Sequence, residues 1–166
     1  MIAVAAGITA WGTLAHAGES LVIKQSDHPR YSLELEPHLL VGLGGPFGKD
    51  HVVGPGVRLT VPILHDGFLG RVNDSVGIGF GADFARVDHG DTVVVIPVVM
   101  QWNFWLSTHW TVFGEPGVDI ATGRGRHGDA VDPVIAVGGR YHFSESVALT
   151  LRAGYPGMSV GASIFF

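Results

Sequence analysis

The chain has 166 residues, with no Cys, 25 Gly and 9 Pro, 46% apolar against 15% charged residues, and a formal net charge of -5. That length suits one domain, and so little charge with so much apolar character excludes a disordered chain or a basic nucleic-acid binder. The lack of Cys excludes disulfides, thiolate nucleophiles and Cys-based zinc sites, and glycine at this abundance disfavours long helices, since each interior Gly costs about 1 kcal/mol relative to Ala.

Residues 1–17 are small and apolar and end in Ala15-His16-Ala17, the small-x-small form of a signal-peptidase site. Cleavage is expected after Ala17, although no Lys or Arg opens the segment before Lys24. The span is shorter than the roughly 20 residues a transmembrane helix needs. The predicted organisation is a signal peptide at 1–17, a lead-in at 18–30 on the periplasmic side, and one β-domain at 31–166.

From Tyr31 onward, apolar residues recur at every second position, the period of a strand. Tyr31, Leu33, Leu35, Leu39 and Val41 share one face, opposite Ser32, Glu34, Glu36 and His38. A second strand near 55–65 sets Val57, Leu59, Val61 and Ile63 against Arg58 and Thr60; a third near 75–86 sets Val76, Ile78, Phe80, Ala82 and Phe84 against Gly77, Gly79, Gly81 and Asp83. A fourth near 92–105 carries Ile96, Val98, Met100, Trp102 and Phe104 opposite Gln101 and Asn103; a fifth near 109–120 carries Trp110, Val112, Val118 and Ile120 opposite Thr111, Glu115 and Asp119. The sixth, seventh and eighth, near 132–143, 146–155 and 158–166, put Tyr141, Phe143, Leu149, Leu151, Val160 and Phe166 opposite Arg140, His142, Thr150, Arg152 and Ser163.

Eight such strands with short connections predict an all-β, eight-stranded, antiparallel up-and-down barrel. Side-chain size assigns its faces. The uniformly apolar faces hold the large residues, whereas the opposite faces hold Gly, Ser, Thr and scattered charge, the arrangement of a transmembrane β-barrel with lipid outside and a polar interior. The expected lumen network is Glu34, Glu36, Arg58, Asp83, Glu115, Arg140 and Arg152, with Gly77, Gly79, Gly81, Gly138, Gly154 and Gly161 leaving it room. The expected aromatic girdle at the periplasmic strand ends is Tyr31, Trp102, Phe104, Trp110, Tyr141 and Phe143, joined by Phe166; Phe84 and Tyr155 belong to a thinner outer girdle. In this orientation the longer 44–54 and 121–131 loops face outward, and the 65–74 connection is long for a periplasmic turn. Pro37, Pro62, Pro97, Pro116 and Pro133 count against regular strands, because each removes a ladder donor.

The last strand, Met158-Ser-Val-Gly-Ala-Ser-Ile-Phe-Phe166, resembles the C-terminal signature of bacterial outer-membrane β-barrel proteins, and the whole resembles their small eight-stranded OmpA/OmpX-like class. The resemblance implies a bacterial outer-membrane location, recognition by the barrel-assembly machinery with Phe166 in the signal, and outer-membrane lipid and lipopolysaccharide as partners.

Other features carry weaker readings. Gly42 to Lys49 has phosphate-loop residues at the wrong spacing, with Asp50 where Ser or Thr would hold magnesium. His142-Phe143-Ser144 resembles the His-x-Ser of outer-membrane lipid A deacylases, but Pro156 stands where the acid would be sought. Asp50-His51, His89-Gly-Asp91 and His127-Gly-Asp129 offer metal-ligand types without a spacing that makes them converge, and Arg124 and Arg126 could meet phosphate. The expectation is a non-catalytic barrel with a structural or surface-interaction role, without catalytic residues, metal or cofactor, its lumen plugged by polar and charged side chains and its oligomeric state open. The alternatives are a lipid-modifying outer-membrane enzyme and a soluble lipocalin-like barrel around an apolar ligand.

Overall fold

A computed structural model describes residues 28–43, 51–86, 92–123 and 130–166, and every structural statement below concerns these. The expected signal peptide, the lead-in up to residue 27 and the tips of three loops lie outside them. Eight strands follow in chain order: β1 (Glu34–Leu43), β2 (His51–Leu64), β3 (Asp74–Arg86), β4 (Thr92–Trp105), β5 (Trp110–Gly123), β6 (Ala130–Ser144), β7 (Val147–Tyr155) and β8 (Gly157–Phe165). Each pairs antiparallel with its neighbour, and β1 closes on β8 from Glu34 opposite Phe165 to Gly42 opposite Gly157. Closure leaves no unpaired edge, the condition for a sheet that meets hydrocarbon.

The barrel has two ends. The base carries the chain terminus at Phe166, the tight turns between β4 and β5 and between β6 and β7, and the segment 65–73. The mouth carries the β7–β8 hairpin at Tyr155–Gly157 and the three connections 44–50, 87–91 and 124–129. The mouth loops are shorter than the sequence suggests, because β2 begins at His51, β5 runs on to Gly123 and β6 begins at Ala130, opposite Ala121. Antiparallel pairing extends these hairpins beyond the point where clean alternation stops. At the base, the Ser107 hydroxyl accepts from the His109 and Trp110 amides, and the Ser144 hydroxyl accepts from the Ser146 amide, closing the two turns.

The long 65–73 connection folds back on the outer wall. The Asp74 carbonyl accepts from the Gly67 amide, the Asp74 carboxylate accepts from the Phe68 amide and the Trp102 indole, and the Phe68 ring meets Trp102 edge-on at 5.7 Å. Asp74 and Val76, which have the alternation of outward residues, are thereby buried.

The prolines are accommodated where the ladder has a gap on one side. Pro97 pairs with Asp119 of β5, while the β3–β4 ladder stops at Phe80 opposite Val98 and resumes at Asp83 opposite Val95. Pro37 and Pro116 pair on one side, with Val57 and Ile135, and their other ladders skip them in the same way. Pro62 sits at a register shift, and Pro133 lies beyond the Ile135–Tyr155 pair where the β6–β7 ladder begins. A residue in an antiparallel sheet aims its N–H and C=O at one neighbour, so each gap falls where a donor is missing.

Burial is inverted relative to a water-soluble barrel. Ile135 and Val137 are 69% and 65% exposed, whereas Glu115 and Arg140 are 0% and 1%. Leu39, Val53, Ile63, Phe84, Ile96, Leu151 and Val160 continue the exposed apolar wall around the circumference. Such a surface is stable only against another apolar medium.

Candidate functional site: a polar lumen closed by side chains

The alternation of each strand sends every second residue inward, and the register stacks these residues into layers. Thus Glu36 faces Arg58 across β1–β2, and Glu34 faces Thr60. All seven residues expected in the lumen network (Glu34, Glu36, Arg58, Asp83, Glu115, Arg140 and Arg152) are buried inside the barrel.

They form three connected groups. In the lower group, the Arg140 guanidinium contacts the Glu34 carboxylate at 2.8 Å and donates to Asn103 Oδ1 at 2.6 Å. Ser163 Oγ donates to Glu34 at 2.7 Å and lies 2.6 Å from Thr150 Oγ1. In the middle group, Arg152 is gripped by two carboxylates: Nη1 and Nη2 donate to Glu36 at 2.8 and 2.9 Å, and Nε and Nη2 donate to Glu115 at 2.6 and 3.2 Å. Glu115 also accepts from Arg58 Nη1 at 2.8 Å and Gln101 Nε2 at 2.9 Å. The upper group pairs His38 Nε2 with Asp83 Oδ1 at 2.8 Å. Bidentate, charge-assisted bonds of this kind are the strong ones, and a buried carboxylate needs them to offset desolvation.

Sequence reasoning missed an aromatic at the centre. Phe113 points inward and is buried, with the Arg140 and Arg152 guanidinium carbons 4.3 and 5.3 Å from its ring centroid. Phe113 breaks the rule that the large residues face out, yet its inward alternation with Thr111 and Glu115 was readable. Gly138 makes the space: a Cβ there would overlap the Phe113 ring. Gly138→Val is therefore expected to cost about 1–3 kcal/mol of stability by overpacking, read as a lower urea midpoint, with part of the loss recovered when Phe113→Leu is added.

The base is closed by rings. His28 stacks on Trp105 at 5.0 Å, Trp105 meets His142 at 5.2 Å, His142 meets Phe165 at 5.4 Å, and Phe165 meets Tyr31 at 4.8 Å. His28 Nδ1 is 2.5 Å from Asn73 Oδ1, which ties the lead-in to the 65–73 segment. Tyr31, expected on the outward girdle, is corrected by this arrangement: it lies before β1, escapes the strand's alternation and is buried against Phe165. The mouth end of the lumen holds an apolar cluster that includes Leu40, Val52, Ala85, Val93, Val95 and Ala121.

The other girdle residues lie on the outer face at the base. Trp102 and Phe104 are 5.0 Å apart, Trp110 and Tyr141 5.1 Å, and Tyr141 and Phe143 5.3 Å. Phe68 adds to this band from the 65–73 segment, and Phe166 is exposed at the chain end with its backbone bonded to Leu33. Phe84 and Tyr155 are exposed near the mouth.

The hydrolase-like residues do not assemble. His142 points into the base stack with Nε2 2.9 Å from Thr111 Oγ1, whereas Ser144 is exposed in the turn and accepts from Ser146. The phosphate-loop-like residues from 44 on, the side chains of Asp50-His51, and His89-Gly-Asp91, Arg124, Arg126 and His127-Gly-Asp129 lie outside the described residues. Among the described residues no group of three His, Asp or Glu side chains is placed to hold a metal ion.

Closed eight-fold antiparallel pairing, an apolar outer wall and an interior of ion pairs define the class: this is an eight-stranded transmembrane β-barrel. No protein-family model and no curated protein sequence matches the chain. Its fold is similar to a de novo designed transmembrane β-barrel, with TM-score 0.52 and 13% identity, covering 87% of this chain and 100% of that one. Two natural proteins give lower scores: the Yersinia pestis outer membrane protein Ail, with TM-score 0.48 and 9% identity over 82% of this chain and 100% of that one, and Neisserial surface protein A, with 0.47 and 11% over 81% and 96%. At such identities the likeness is one of fold.

Proposed function

We propose that the chain is a bacterial outer-membrane barrel with a structural or surface-interaction role, anchoring mouth loops that meet lipopolysaccharide or external partners. The observation that carries this reading is the pairing of an apolar wall with a lumen filled by Arg152, its two carboxylates and Phe113. An eight-stranded interior is just wide enough for side chains to fill, and this one leaves little open path between the ring stack at the base and the apolar cluster at the mouth. The barrel is thus a non-conducting anchor. The aromatic band at the base suits the periplasmic interface, where amphipathic rings sit at headgroup level. Phe166, exposed at the end of β8, is free to serve as the terminal element read by the barrel-assembly machinery.

The test is membrane fractionation of the expressed precursor, followed by gel mobility with and without boiling and by planar-bilayer recording. Expected are an outer-membrane band whose mobility changes on heating and no stepwise conductance. A soluble periplasmic monomer would overturn the membrane location, and regular channel steps would overturn the plug.

A further inference from the structure

The apolar outer wall carries a single exposed charge. Along the outward positions of the eight strands, Arg86 at the mouth end of β3 is the one exposed Asp, Glu, Lys or Arg among the described residues. Asp74 shares that alternation but is covered by the 65–73 segment. Arg86 takes part in no ion pair with a described residue. A guanidinium on the lipid face is strongly unfavourable at mid-depth and close to neutral at the interface. The end of β3 therefore marks the headgroup level on this side of the barrel.

Beside Arg86 the wall is concave. A groove of about 380 Å³ is lined by Val53 and Pro55 of β2, Phe84 and Arg86 of β3, and Thr92 of β4. The register explains the arrangement: Val53 and Thr92 stand across the two ladders from Arg86. Phe84 lies two residues deeper, about 7 Å along the strand. The guanidinium and the Thr92 hydroxyl thus belong to the rim, and Phe84 and Pro55 to the hydrocarbon below it. Donors above and apolar side chains beneath match an amphiphile with an anionic head lying along the wall. Phosphate is the anion that suits Arg, which can donate to two of its oxygens at once.

We propose that this groove binds one lipid A moiety of lipopolysaccharide, with an acyl chain over Phe84, Pro55 and Val53 and a sugar phosphate held by Arg86 and the Thr92 hydroxyl. This rests on the outer-membrane reading above, in which the mouth faces outward, where lipid A is the phosphorylated amphiphile at headgroup level. It places the lipid on the wall between β2 and β4 rather than on the loops.

The experiment uses the full chain refolded in dodecyl maltoside micelles and titrated with lipid A, with bound lipid read by native mass spectrometry. A saturable one-to-one complex is expected, and Arg86→Gln is expected to raise the half-saturating concentration roughly tenfold or more, the loss of a charge-assisted bond. Phe84→Ala is expected to weaken binding as well while keeping the preference for phosphorylated lipid. Unchanged affinity in Arg86→Gln would overturn the site, as would phosphatidylglycerol binding as tightly as lipid A or inorganic phosphate displacing the lipid. Should the variants fail to fold, the unaltered protein decides: lipid A stripped of both phosphates must bind far more weakly, and equal binding overturns the proposal. Failure in micelles leaves the outer-membrane location standing. A soluble monomer on fractionation would remove that location, and with it the lipid source, whatever the micelles show.

Discussion

Glu115→Gln is expected to cost about 3–5 kcal/mol of unfolding free energy, the usual penalty for breaking a buried ion pair from one side. Glu115 is the carboxylate shared by Arg152 and Arg58, and it also accepts from Gln101. Its neutralisation leaves Arg152 on Glu36 alone and leaves Arg58 without any bonded carboxylate. The measurement is urea unfolding of the vesicle-refolded barrel, followed by tryptophan emission. The double variant Arg58→Leu with Glu115→Leu is expected to recover most of the loss, because the remaining pairs Arg152–Glu36 and Arg140–Glu34 are then balanced one to one. A single variant as stable as the unaltered protein would show that water, rather than a low-dielectric interior, surrounds this carboxylate.

Val137→Arg, on the opposite face of the wall, is the second large effect. Val137 lies mid-way along β6 and is 65% exposed. At the surface of a water-soluble protein such a change stays within about 0.5 kcal/mol. In a bilayer it places a guanidinium at hydrocarbon depth, with an expected cost of about 2–4 kcal/mol at the midplane, falling to about 0–1 near the interface. Val131→Arg, near the mouth end of the same strand and equally exposed, is the control and is expected to be close to neutral. The difference between the two in vesicles, and its disappearance at the level of folding yield in bulk water, measures the medium around the wall. Equal costs at both positions would mean that no depth-dependent apolar layer surrounds the barrel.

These outcomes bear on why so much was legible beforehand. Alternation along one strand is a local property, and it assigned every strand its lumen and outer face, from Glu34 and Glu36 in β1 to Ser163 in β8. The pairing of large apolar with small or charged residues then decided which face met lipid. Alternation applies only while the chain is a strand, however. Tyr31 precedes β1 and turns inward onto Phe165, and Asp74 and Val76 have outward alternation but are covered by the returning 65–73 segment. The segments Gln101-Trp-Asn-Phe-Trp105 and Phe113-Gly-Glu-Pro-Gly117 had no readable chemistry by themselves. Their meaning lies in partners far along the chain: Gln101 with Glu115, Asn103 with Arg140, Trp102 with Asp74, and Phe113 with both Arg140 and Arg152.

By itself, then, the sequence determined the all-β class, the strand count, the inward and outward faces of the strands and seven of the charges to be buried, because each of these follows from period-two patterning and residue size. Only the tertiary structure decided which carboxylate each arginine takes, where the proline gaps fall between strands and how rings close the base. Those depend on register, and closing the sheet brings Arg152 of β7 within reach of Glu36 of β1, residues that no local pattern connects.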